Sequence, residues 1–86
     1  MPKAQRRKTK FRQGNIVGSR IRVGRRMQNP PLSQDALSGR LAACGVNIGR
    51  AGIAKVEAGQ RAVSDYEILG FARALRVPVT WLLDVK

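Results

Sequence analysis

The chain has 86 residues, a formal charge of +12 from 17 Lys+Arg against 5 Asp+Glu, one cysteine and no histidine. That length buries one small core. The missing side chains deprive histidine zinc sites, Ser-His and Cys-His catalysis and an internal disulfide framework of their parts, so neither an enzyme nor a metal or cofactor carrier is expected. No apolar run approaches the ~20 residues that span a bilayer, the basic N-terminus lacks the apolar stretch of a secretory signal, and a lone cysteine fits a reducing, cytoplasmic compartment.

Taken in chain order, the charge comes first. Residues 1–26 hold ten cations and no acid, whereas residues 27–86 hold seven cations and five acids. A basic run on a nearly neutral body suits a polyanion. An anionic membrane would want bulky apolar anchors, and residues 1–15 offer only Met1 and Phe11, so nucleic acid is favoured over a membrane partner. Residues 1–15 show no periodicity and contain Pro2 and Gly14. They are expected to form a disordered basic arm, with residues 16–86 as the folded domain.

From Ile16 the pattern turns helical, with Val17, Ile21, Gly24 and Met27 on one narrow apolar face and arginines around the rest. Asn29-Pro30-Pro31 ends this helix. Ser33 is the predicted N-cap of a second helix, with Asp35 at the positive end of its dipole and Leu37, Leu41 and Cys44 as its buried stripe. Gly45 is the left-handed residue after it. Residues 46–48 form a turn. A third helix over residues 49–58 buries Ile53 and Val56 and closes at Gly59, and Gly49 and Gly52 lower its intrinsic propensity. Ser64-Asp65-Tyr66-Glu67 fits a capping box and opens a fourth helix with Ile68, Leu69, Ala72 and Leu75 inward. Pro78 precedes a short fifth helix that seats Trp81 and Leu82. No segment alternates with period two, so the expectation is an all-α bundle of about five short helices.

Two short helices joined by a glycine-containing turn in a basic chain suggest a helix-turn-helix. The runs Leu32–Leu37 (L-S-Q-D-A-L), Ile53–Arg61 (I-A-K-V-E-A-G-Q-R) and Ala72–Leu83 (A-R-A-L-R-V-P-V-T-W-L-L) make the pattern more specific. Together they resemble the Cro/C1-type, lambda-repressor-like (XRE) family of DNA-binding proteins. The resemblance implies that the third helix lies in a major groove, with Arg50, Ala51 and Lys55 toward the bases. Arg50 is the strongest of these, since a guanidinium can make paired bonds to guanine. It also implies phosphate contacts from Gln34, at the first turn of the second helix, and from Arg61; Asn47 and Arg40 are further phosphate candidates. Arg6, Arg7, Lys8, Lys10 and Arg12 would follow the backbone or enter a minor groove. Glu57 is expected to pair with Arg25 and fix the third helix against the first.

The stretch from Ser33 to Glu57 is longer than in the shortest members of that family, and Gly49, Ala51 and Gly52 are poor base readers. Phosphate contacts and DNA shape are therefore expected to contribute heavily. The leading expectation is a transcriptional regulator, repressor rather than activator, that binds double-stranded DNA as a homodimer. Its dimer surface is expected near the C-terminal helix, at Val79, Trp81, Leu82 and Val85, the alternative being that Trp81 simply closes the core. The alternatives are an antitoxin with a toxin partner that also represses its own operon, and a basic RNA-binding protein. Few aromatic residues are available for the base stacking that RNA recognition favours.

Overall fold

Five helices build the domain in the computed structural model, which describes residues 15–85: α1 Gly18–Arg26, α2 Gln34–Ala43, α3 Arg50–Glu57, α4 Asp65–Leu75 and α5 Val79–Leu83. The architecture is an all-α bundle. α3 packs on α1 and α2, α4 packs on the same two helices from another side, and α5 closes against α1 and α4. Phe71, Ile21, Leu37, Leu41, Ile53, Leu75 and Leu82 fill the centre. No helix among the described residues is long and apolar enough to cross a membrane.

The helix boundaries follow local chemistry. Ser33 caps α2 by accepting a hydrogen bond from the Ala36 amide at 3.0 Å. Ser64 and Glu67 form the reciprocal capping box of α4, which satisfies amides that would otherwise lack partners. Gly45 and Gly59 follow α2 and α3 with φ of 84° and 75°, left-handed values that cost glycine nothing. Pro78 stands as the N-cap of α5.

Asn15 departs from expectation. Assigned by pattern to the arm, it is buried and ties three parts of the fold together. Its Oδ1 accepts from the Val17 and Gly18 amides at 3.1 and 2.9 Å, at the opening of α1. Its Nδ2 donates to the carbonyls of Val56 at 2.8 Å and Arg61 at 3.0 Å. A polar side chain beside Ile16 looks like linker in sequence, but those four bonds make it interior. Gly18 completes the joint: a Cβ there would collide with the Val56 carbonyl, so α1 touches α3 backbone to backbone.

Several predicted core positions move. Met27 is 62% exposed because α1 ends at Arg26 and the chain turns away. Cys44 is only half-buried, as the C-cap of α2. On α4, Leu69 points outward at 46% exposure, while Phe71 is fully buried. The buried side of α4 comprises Gly70, Phe71, Ala72, Ala74 and Leu75. Gly70 lies so close to Val46 that the Val46 side chain occupies the space a Cβ would need. Gly70 thus faces the α2–α3 turn, which leaves Leu69 on the other side of the helix.

Candidate nucleic-acid interface

The unit that would present α3 is built at both ends. At one end, α2 and α3 are joined by the turn that contains Val46 and Ile48, both buried. Ser38 on α2 braces it by donating to the Ile48 carbonyl at 2.7 Å. Gly52 sits over the same residue, where a Cβ would meet Ile48 Cγ2 at 2.8 Å. The glycine thus serves packing of the turn.

At the other end stands Glu57, whose side chain has 0% exposure. Arg25 donates to it twice, Nε to Oε2 at 2.7 Å and Nη2 to Oε1 at 2.9 Å. Gln34 Nε2 and Arg22 Nε add bonds to Oε1 at 3.2 and 3.3 Å. Arg25 also donates to the Leu32 carbonyl at 3.0 Å. One carboxylate therefore ties α1, the start of α2 and the end of α3 together. Burial alone would push the Glu57 carboxyl up. The hydrogen bonds from Arg25, Gln34 and Arg22 and the charge of Arg25 outweigh it and hold the group below the usual carboxylate range. The same bond raises the Arg25 guanidinium. The Arg25–Glu57 pair stands as expected; the additional engagement of Arg22 and Gln34 was not legible.

With its inner face fixed by Ile53, Val56 and Glu57, α3 turns Arg50, Ala51, Ala54 and Lys55 to solvent. Among the described residues neither Arg50 nor Lys55 has an acid within ion-pair distance. Gly49 is the N-cap and supplies no side-chain bond, so among the described residues the first amides of α3 have no capping partner beside Arg50. Free amides, the positive end of a helix dipole and a guanidinium together form an environment that favours anions. Ala54, which sequence pattern passed over, lies between the two cations on this face and leaves room for close approach.

The other candidates divide. Asn47 is exposed in the turn before α3. Gln34 is half-buried, with one amide hydrogen used on Glu57 and the other unbonded among the described residues. Arg61 pairs with Glu67 at 3.1 Å, so a phosphate would have to compete for it. That pairing, against the opposing effect of burial, keeps the Glu67 carboxyl below its ordinary value. Arg40 is turned inward, donating to the Ala74 carbonyl at 3.0 Å and Gln28 Oε1 at 3.3 Å. Both bonds come from Nη1 of a half-buried side chain, so Arg40 braces the end of α4 and would meet a phosphate only with the rest of its guanidinium. Arg6, Arg7, Lys8, Lys10 and Arg12 lie outside the described residues.

The residues expected at a dimer surface divide: Val85 is exposed and Val79 half-buried. Leu82 is fully buried, and Trp81 is half-buried beneath Arg20, whose guanidinium carbon lies 3.9 Å from the ring centroid. Arg20 also donates to the Trp81 carbonyl at 2.9 Å. Cation–π stacking and this bond hold the ring against α1, so Trp81 closes the core. No family model, curated protein sequence or solved structure matches the chain.

Proposed function

We propose that this protein binds double-stranded DNA with sequence preference through α3 and acts in the cytoplasm as a transcriptional regulator, more suited to repression than activation. The observation that carries this reading is the outward face of α3. Among the described residues Arg50 and Lys55 have no acid partner there, on a helix whose opposite face is locked by a buried ion-pair network. A rigid helix with unpaired cations at both ends of its exposed side suits a major groove. The +12 charge of the chain supplies attraction to phosphate irrespective of sequence. Gln34 and Asn47 are the backbone contacts closest to this arrangement, and the arm cations add phosphate neutralisation.

Duplex DNA is favoured over RNA by the fate of the aromatic residues. Phe71 is fully buried, Trp81 is stacked on Arg20, and among the described residues only Tyr66 is an exposed aromatic. Single-stranded RNA readers need several exposed aromatic platforms. A domain of this size would gain specificity by binding as two copies on a pseudo-palindrome.

The test is selection of bound duplexes from a random pool at physiological salt. The expected outcome is an enriched sequence with two related half-sites. Recovery of duplexes without any enriched sequence would reject base reading by α3, and failure to retain duplexes at all would reject the function.

A further inference from the structure

We infer that the exposed side of α4 is a self-complementary surface on which a second copy of this chain docks, helix against helix and antiparallel. Asp65, Leu69 and Arg73 follow one another at i, i+4 and i+8, and all three are exposed. They form one ridge of the helix, acid at one end, apolar in the middle, cation at the other. Neither Asp65 nor Arg73 has an ion-pair partner among the described residues. Placing a two-fold axis at Leu69 sets each Asp65 opposite Arg73 of the other copy, twice by symmetry. Ridges of this i±4 kind pack into one another's grooves in the commonest class of helix contact.

The surroundings fit an apolar partner and not a polyanion. Beside the ridge lies a groove of about 470 Å³ lined by Asp65, Tyr66, Ile68, Leu69, Val79 and Leu83. It contains no cation in a chain of +12. Tyr66, at 60% exposure, borders it and is held in place by its hydroxyl, which donates to the Gly45 carbonyl at 2.8 Å. Exposed leucine and tyrosine around an apolar hollow mark an interaction surface. The charge pattern selects the occupant, because Asp65–Leu69–Arg73 is complementary to its own reverse.

This surface concerns the pairing that the DNA-binding reading calls for, yet it is tested without DNA. Sedimentation equilibrium of the full chain at low salt should give twice the 9.4 kDa chain mass. Asp65→Arg places like charges opposite each other across the axis, as does Arg73→Asp, and each variant alone should sediment as a monomer. Mixed in equal amounts, the two should regain the dimer mass, because every cross-copy pair in the mixed species is then attractive. Circular dichroism checks that both variants stay folded, as expected for exposed positions. A monomeric wild-type chain, single variants that dimerise as well as wild type, or folded variants that fail to associate on mixing would each overturn the inference. DNA binding is measured separately on single half-sites: retained binding by the wild-type chain, together with any of those overturning results, would leave the function of α3 standing while this surface failed.

Discussion

The two ends of α3 handle charge in opposite ways. At Glu57, two arginines and an amide close on one carboxylate with no solvent exposure. At Arg50, the guanidinium stands in solvent beside uncapped amides, with no acid nearby among the described residues. Arginine has the same formal charge in both settings, and its surroundings decide what it does. Inside, the fixed geometry of guanidinium and carboxylate sets how α1, α2 and α3 meet. Outside, the absence of a partner leaves charge available for a ligand. The comparison extends across the fold: Arg20, Arg22, Arg25, Arg40 and Arg61 bond within the molecule, whereas Arg26, Arg50, Lys55, Arg73 and Arg76 are exposed and unbonded among the described residues.

The sharpest way to break this contrast is at the inner end. Glu57→Ala leaves Arg25 without its carboxylate in a half-buried site and should lower the unfolding free energy by about 3–5 kcal/mol in urea titrations. A loss below about 1 kcal/mol would place the pair among weak surface bridges. Acid adds a second test. The native Glu57 carboxyl is depressed, so between its native value and the unfolded value near 4.3 the unfolded chain binds more protons. Stability contributed by Glu57 is then fully present above about pH 4.3 and is lost as the pH falls through the native value. Glu57→Gln should flatten part of that acid limb, and the remainder should reflect Glu67, which is depressed in the same direction.

A pair of glycines tests the packing that holds the inner end. Gly18→Ala forces a methyl against the Val56 carbonyl and should destabilise by at least ~1–3 kcal/mol. Gly39→Ala meets nothing within 4 Å on the exposed side of α2 and should stabilise by up to ~1 kcal/mol. Equal effects from the two would remove the close α1–α3 approach as an explanation.

The smallest effect belongs to the outer end. Lys55→Ala should leave stability within about 0.5 kcal/mol. On DNA it should reduce the salt dependence of binding by about 0.9 in log–log slope if the ammonium meets a phosphate. An unchanged slope would take Lys55 out of the backbone contact.

Much of this was legible because short-range chemistry decided it. Ser33, Ser64 with Glu67, Gly45 and Gly59 each act within a few residues, and the chain places them where caps and turns require. The Arg25–Glu57 pair was legible through family resemblance. What escaped depends on distant partners. Asn15 is interior because the carbonyls of Val56 and Arg61, 41 and 46 residues away, meet its amide. Arg40 spends one nitrogen inside the fold because the last turn of α4, 34 residues away, offers the Ala74 carbonyl. Leu69 faces outward, against expectation, because α4 has apolar or small residues over most of its circumference, so periodicity alone could not choose its inner face. Close approach of Gly70 to Val46 made that choice.

The most direct test of α3 as the base-reading element is the ratio of affinities for a selected duplex and a scrambled one at fixed salt, measured for the wild-type chain and for Arg50→Ala. The expected result is a ratio reduced by the equivalent of about 1–3 kcal/mol, with unchanged thermal stability and a smaller loss on the scrambled duplex. Equal losses on both duplexes would show that Arg50 meets phosphate only, and an unchanged affinity for both would contradict the placement of α3 at the DNA.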